Sequence, residues 1–245
     1  MADEFILPDW PAPANVHALA TTRFGGQSPA PYDSLNLGDH VGDDLQNVLA
    51  NRQYLTEHAS LPSSPLWLTQ THSTIVLNSQ DWQQAIEADA TVSQQVNAVC
   101  VVMTADCLPI LICDTAGTEI AAIHAGWRGL CDGIIENTLK KLFSDTSNLM
   151  AWLGPAIGPS KFEVGEEVRD AFLAHSATAD SAFQPSRPNH YFADIYQLAK
   201  QRLAACGLTS VYGGDYCTVS EPEKFFSYRR DNVTGRMASL IWLST

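Results

Sequence analysis

Basic residues are scarce in this chain: 14 Lys and Arg stand against 27 Asp and Glu, for a formal net charge of -13. So acidic a surface repels a phosphate backbone as a whole, which excludes duplex nucleic acid as a partner. It does not exclude a small anion, which a few arginines and backbone N–H groups suffice to hold. No apolar run approaches the roughly 20 residues that a membrane helix needs, so no membrane partner is expected. The opening residues, from Met1 to Pro8, lack the basic stretch and apolar segment of a secretory leader. The chain therefore reads as cytosolic, and its six cysteines, at 100, 107, 113, 131, 206 and 217, as thiols rather than disulfides. No two of them form Cys-x-x-Cys, which argues against a zinc ribbon or a thioredoxin-type site. Repeats, low-complexity tracts and Pro/Gly/Ser linkers are missing too, so residues 1–245 read as one domain.

What is present is an ordinary core-forming composition, 45% hydrophobic with 17% charged residues. Residues 16–22 read as a strand. The continuous apolar runs 98–103, 108–113, 119–123 and 150–153 read as buried strands. Residues 66–77 read as a strand interrupted near Thr71 and His72. Leu45, Val48, Leu49, Tyr54 and Leu55 fall at helical spacing and predict a helix over 44–58. A second helix is expected after Gly129, with Ile134, Ile135, Leu139 and Leu142 on one face. Two more are expected over 166–175 and 194–206, the last with Asp194 as N-cap and Gly207 as its stop. Residues 225–230 and 236–243, flanking the turn 231–235, predict a hairpin. Strands and helices mix without strict alternation, which makes α+β the expected class.

Three apolar segments end abruptly in a polar, reactive residue: 68–72 in His72, 102–107 in Cys107, and 122–124 in His124. Strand ends are where a rigid scaffold places functional groups. One cysteine and two histidines could form a three-ligand transition-metal site with its fourth position open to water or substrate. The same atoms could instead make Cys107 a nucleophile with His124 as its base and Asp106 or His72 in support. They also match the blue-copper ligand set, although none of the seven histidines forms a His-x-His pair of the multicopper kind. The plain alternative is a buried small cysteine and hydrogen-bonded histidines. Arg23, Arg128, Arg229 and Arg230 lie in or beside these segments, where guanidinium groups suit phosphate or carboxylate as well as surface ion pairs. Asn36 and His40 could hydrogen-bond a sugar or base, or serve a turn. Trp127, Phe225 and Phe226 could stack on a base or pack the core.

Seven segments, taken in order, carry a resemblance: Thr22-Arg-Phe-Gly-Gly26, Ser34-Leu-Asn-Leu-Gly38, Gln70-Thr-His72, Met103-Thr-Ala-Asp-Cys-Leu-Pro109, His124-Ala-Gly-Trp-Arg-Gly129, Gly154-Pro-Ala-Ile-Gly158 and Phe226-Ser-Tyr-Arg-Arg-Asp231. Together they resemble the YfiH-type laccase-domain or polyphenol-oxidase-like family of purine nucleoside phosphorylases, across essentially the whole chain. The resemblance implies a zinc enzyme with His72, Cys107 and His124 as ligands, and copper as the other candidate metal. It implies phosphorolysis of adenosine, inosine, guanosine and methylthioadenosine to base and ribose 1-phosphate, together with deamination of adenosine. A copper-dependent phenol oxidase is the older reading of the same family. The implied fold is layered α/β/β/α, similar to the catalytic domain of cytotoxic necrotising factor, a Cys–His deamidase, which keeps the hydrolase alternative in view.

On this reading the partners are purine nucleosides and phosphate, and the oligomeric state lies between monomer and weak homodimer. Asp106 is the acidic group nearest in sequence to move a proton. Arg23 and Arg128 are candidates for the anion, and Asn36, His40 and Gln70 for the nucleoside. The family commonly has Gly after the first ligand histidine, where this chain has Ser73.

Overall fold

The computed structural model describes residues 4–245. In chain order its first half comprises β1 (Phe5–Ile6), β2 (Val16–Thr21), α1 (Leu45–His58), β3 (Val76–Asn78), β4 (Ala90–Ser93), β5 (Cys100–Thr104), β6 (Leu108–Asp114) and β7 (Ile120–Ala125). There follow α2 (Trp127–Asp132), α3 (Ile134–Leu139), β8 (Leu149–Leu153), β9 (Glu163–Gly165), α4 (Glu166–His175), β10 (Phe183–Pro185), β11 (His190–Ala193), α5 (Ile195–Ala205), β12 (Ser210–Gly213), α6 (Tyr228–Asp231) and β13 (Met237–Leu243). A four-stranded sheet runs β1-β2-β13-β5, a six-stranded sheet β12-β8-β6-β7-β4-β3, and a small sheet β10-β11-β9. The six-stranded sheet is antiparallel in its middle and parallel at both edges, where β12 joins β8 and β3 joins β4.

The continuous apolar runs are explained by burial on both faces. In β6, Leu108, Ile110 and Ile112 pack under the helices, while the alternate residues Leu111 and Cys113 face the other sheet. Between the sheets, Ile120 and Ala122 of β7 and Met150 and Trp152 of β8 meet Val16, Ala20, Cys100, Val102, Ile241 and Leu243. The far face of the four-stranded sheet (Leu19, Val101, Leu240, Trp242) is covered by Leu55 of α1 and by Leu35 and Leu37. The far face of the six-stranded sheet is covered by α2 to α5. The layers are therefore helix, sheet, sheet, helix, and the class is α+β as expected. No helix among the described residues is long and apolar enough to cross a membrane.

Helix ends follow their chemistry. Asp44 caps α1 by accepting from Gln46 N, Asp194 caps α5 by accepting from Gln197 N, and Gly207 leaves α5 at φ 89°.

Three expectations are corrected. The helix expected after Gly129 begins earlier, at Trp127, and is broken into α2 and α3 at Gly133, whose φ of 103° is left-handed; Ile134, Ile135 and Leu139 are buried on α3 as expected. The expected hairpin is absent: Phe225 and Phe226 are buried with Ala105 and Met237, and Ser227 instead caps the short α6 by accepting from Arg230 N. The remaining partner, β13, pairs with β2 and β5. Of residues 66–77 only Val76 and Leu77 are in a strand, the start of β3, with isolated bridges from Leu66 to Cys100 and from Thr69 to Glu87. The N–H groups of residues 71, 72 and 73 go to the carboxylate of Asp89 rather than to a neighbouring strand. The strand β4 and the three-stranded sheet were not foreseen.

Leu111 is fully buried between the sheets. Leu111→Ala is expected to cost about 2–5 kcal/mol, read as a lower urea midpoint with an unchanged slope.

Candidate metal centre

Three elements deliver the three reactive side chains to one point. His124 stands on β7 with the same parity as Ile120 and Ala122, so it leaves from the inter-sheet face. Cys107 closes the link between β5 and β6. The turn is made at Asp106, whose φ of 90° is left-handed. That conformation is uncommon for a non-glycine residue and is held here by tertiary bonds. Thr218 Oγ1 donates to one carboxylate oxygen of Asp106 at 2.5 Å, Arg229 N donates to the other at 2.6 Å, and Ile157 N donates to its carbonyl at 2.9 Å. His72 sits in the loop between the bridge at Thr69 and β3, itself at φ 60°. The ligand atoms of His72, Cys107 and His124 all lie within 4.8 Å of one another. Cys107 Sγ is 3.8 Å from His72 Nε2, and the two imidazoles meet edge to face with centroids 4.9 Å apart.

The organiser of this cluster is Asp89, fully buried just before β4. Its carboxylate accepts from Thr71 N (3.2 Å), His72 N (3.0 Å), Ser73 N (2.6 Å), Ser73 Oγ (2.6 Å) and His124 Nδ1 (2.7 Å). With Nδ1–H donated to a carboxylate, His124 presents its Nε2 lone pair to the cluster, the tautomer that metal ligation requires. Ser73 is thus a gain: the left-handed residue of the loop is His72, and Ser73 adds a hydroxyl donor to Asp89.

The charges follow from the contacts. Burial pushes the Asp89 carboxyl up, but the His124 and Ser73 donors outweigh it and hold it at about 2. Burial likewise pushes the Cys107 thiol up, and the charges and donors of His124 and His72 bring it down to about 6. For His124, burial lowers the imidazolium, yet the Cys107 thiolate and Asp89 raise it to about 9. Without metal, the centre is a thiolate, an imidazolium and a carboxylate in a row. Cys100 and Cys113, without such partners, are pushed up by burial to about 12.

The donor set suits a transition-metal ion. One thiolate and two imidazoles are ligands for zinc or copper, and three protein donors leave a position open. Gly126 keeps the approach clear: a Cβ there would stand 2.7 Å from His72 Cδ2 and 3.1 Å from Cys107 Sγ.

The other residues expected from sequence fall around this centre in different ways. Gln70 clamps the end of β5, donating to Met103 O and accepting from Met103 N, each at 2.7 Å. Asn36 is buried with its amide fully engaged, donating to Gly38 O and Asp43 and accepting from Gly38 N and Arg236 N. Arg23 donates to Asp33 O and Pro222 O and pairs with the Asp33 carboxylate. Arg128 is exposed at the start of α2, its guanidinium 4.6 Å from the Trp127 ring. His40 lines a cavity of about 710 Å³ together with Arg52, Trp67, Gln70 and Trp82; none of His72, Cys107 and His124 lines it. Sequence reasoning missed Asp89 and Gly126. The available signal for Asp89 was an acid directly ahead of Ala90-Thr-Val-Ser93.

The family model described as multi-copper polyphenol oxidoreductase laccase matches residues 17–244. The chain belongs to this family. Among curated relatives, the Haemophilus influenzae protein named purine nucleoside phosphorylase is 54% identical over 239 residues, covering 97% of this chain and 98% of that protein. The Escherichia coli protein named purine nucleoside phosphorylase YfiH is 54% identical over 241 residues, 98% and 99% of the two chains. Within the same fold, a Neisseria meningitidis crystal structure superposes with a TM-score of 0.96 at 49% identity, covering 99% of this chain and 100% of that one. A Bacillus licheniformis protein titled hypothetical protein YfiH gives a TM-score of 0.91 at 28% identity, covering 99% and 97%.

Two outcomes follow for the centre. Asp89→Asn is expected to weaken binding of a transition-metal ion at the cluster about 10–100-fold, the usual loss when the group that orients a ligand histidine is removed; chelator competition measures it. In metal-free protein, iodoacetamide should modify Cys107 with a half-maximal rate near pH 6, because the thiolate persists above its pKa of about 6. Cys100 and Cys113 should stay unmodified, which peptide mapping checks.

Proposed function

We propose that this protein is a zinc-dependent purine nucleoside phosphorylase that also deaminates adenosine. The observation that carries the reading is the convergence of His72, Cys107 and His124, in a chain matched end to end by relatives named purine nucleoside phosphorylase. His72 Nε2, Cys107 Sγ and His124 Nε2 would hold the ion. Bound there, zinc supplies Lewis acidity, polarising a substrate oxygen or activating a water.

The chain's own residues do the rest. Asp89 fixes His124 and the His72 loop through its five donors, so the donor atoms are preorganised. Asp106, with both oxygens engaged by Thr218 and Arg229, acts as a support that presents Cys107. The cavity beside Gln70, with Trp67 and Trp82 in its wall, offers flat apolar surface of the kind a purine takes. Phosphorolysis further requires an anion held near the sugar C1′ while positive charge grows on the ribose, a task for guanidinium and N–H donors.

One observation favours a second reading. The Asp89–His124–Cys107 row, with Cys107 held at about 6, is also the arrangement of a thiol hydrolase. Following adenosine, inosine and ribose 1-phosphate by chromatography, with and without phosphate, separates the two. Phosphate-dependent release of ribose 1-phosphate is expected, lost in Cys107→Ala, with about one zinc per chain. Amide turnover that survives zinc removal and is abolished by thiol alkylation would instead establish the hydrolase. Phenol oxidation that needs bound copper and oxygen would establish the oxidase.

A further inference from the structure

Most arginines of this acidic chain have a carboxylate partner: Arg23 pairs with Asp33, Arg52 with Asp39, Arg169 with Asp180, Arg187 with Glu163, Arg202 with Glu136 and Arg230 with Asp231. Arg236 does not. It is half-buried, and no carboxylate among the described residues comes within ion-pair distance of it. Its Nη1 donates to two nearby carbonyls, Thr234 O at 3.2 Å and Gly235 O at 3.0 Å. Its Nε and Nη2 have no acceptor among the described residues, and together these two form the edge of a guanidinium that grips two oxygens side by side.

The position of this edge is fixed from several sides. Arg236 directly precedes β13, whose Met237 is in register with Thr104, the last residue of β5. The arginine therefore stands beside the 105–107 link that carries Cys107. Its backbone N donates to Asn36 Oδ1 at 2.9 Å. Its stem lies over Gly38, where a Cβ would come 2.7 Å from Arg236 Cγ. The Tyr228 ring lies 5.9 Å from its guanidinium carbon. The charge is felt at Cys107 and Asp106 on one side and at His40, on the wall of the cavity, on the other. Burial lowers the arginine's pKa, but a guanidinium stays charged in proteins. A half-buried charge with an open bidentate edge and no carboxylate partner is costly to hold unless an anion from outside takes that edge.

We propose that the free edge of Arg236 is the binding subsite for an oxyanion, and that the anion is inorganic phosphate, the co-substrate. The choice of phosphate rests on the phosphorylase reading above. In that reaction a phosphate oxygen bonds to ribose C1′ as the bond from C1′ to the base nitrogen breaks. The electron pair leaves with the base, and the proton of hydrogen phosphate goes to the base nitrogen. Arg236 holds the phosphate oxygens that do not react. It suits the task better than Arg23, whose donors already serve Asp33 and Pro222.

The test uses the zinc-loaded full chain as wild type, Arg236→Gln and Arg236→Lys, with the exposed Arg187→Gln as a control for lost surface charge. Calorimetry reads inorganic phosphate binding without nucleoside, and steady-state assays read KM for phosphate and for adenosine separately. Arg236→Gln should weaken phosphate about 10–100-fold, the loss of charge-assisted hydrogen bonds. Its adenosine KM should stay close to wild type. Arg236→Lys, which keeps the charge and loses the fork, should fall between, and Arg187→Gln should bind phosphate as wild type does.

If Arg236→Gln fails to give a wild-type melting transition, the lysine variant carries the comparison. Variants that fold and bind phosphate as tightly as wild type overturn the assignment, as does a wild type that binds no phosphate. Phosphate binding through Arg236 with no ribose 1-phosphate formed would uphold the anion site and remove the phosphorylase reading. Ribose 1-phosphate formed with an unmoved phosphate KM in both variants would do the reverse.

Discussion

The buried carboxylate of Asp89 ties together the parts of this molecule that chemistry depends on. A charge in a fully buried position is tolerated only when its lone pairs are answered, and here three consecutive backbone N–H groups, one hydroxyl and one imidazole answer them. Hydrogen bonds to a charged group contribute roughly 1.5–3 kcal/mol each, more than neutral ones. The loop of residues 71–73 has no strand partner of its own, so this carboxylate takes the place of a sheet neighbour. Asp89 O also accepts from His124 N at 2.7 Å, so main chain and side chain of one residue fix the same histidine.

From that anchor the electrostatics of the centre follow. A carboxylate that stays charged favours a proton on His124 Nδ1, a charged His124 favours the Cys107 thiolate, and the thiolate in turn favours the cation. Each group would be costly alone in the space between two apolar sheets. Neighbouring Cys100 and Cys113, in the same inter-sheet core, show what burial does to a thiol that has no such company.

How much of this was legible in the sequence depended on whether the cause was local. The apolar runs that became β5 to β8 were readable because strands buried on both faces have no polar residues to obscure them. The caps of α1 and α5 were readable because capping is a contact between residues two or three apart. His72, Cys107 and His124 were legible as strand-end residues, and the resemblance joined them into one ligand set. What was not legible is decided across distance in the chain. Phe225 and Phe226 have the composition of a strand, and only their burial against Ala105 and Met237 denies them one. Asp89 looks like any surface acid until its donors, 16 to 35 residues away in sequence, are brought to it. Arg236 offers no local pattern at all, because its partial burial without a carboxylate partner is decided by the folded surroundings.

The amide of Gln70 has a bearing on solubility. β5 forms the outer margin of its sheet, and such a margin exposes unpaired peptide groups on which another chain can add a strand. Leu66 N reaches Val99 O at 2.9 Å at one end, and at the other the Gln70 carboxamide takes both the N–H and the C=O of Met103. A side-chain amide here impersonates the peptide of an absent strand. The sheet is thereby closed to intermolecular β-pairing along an apolar segment that would otherwise be well suited to aggregate.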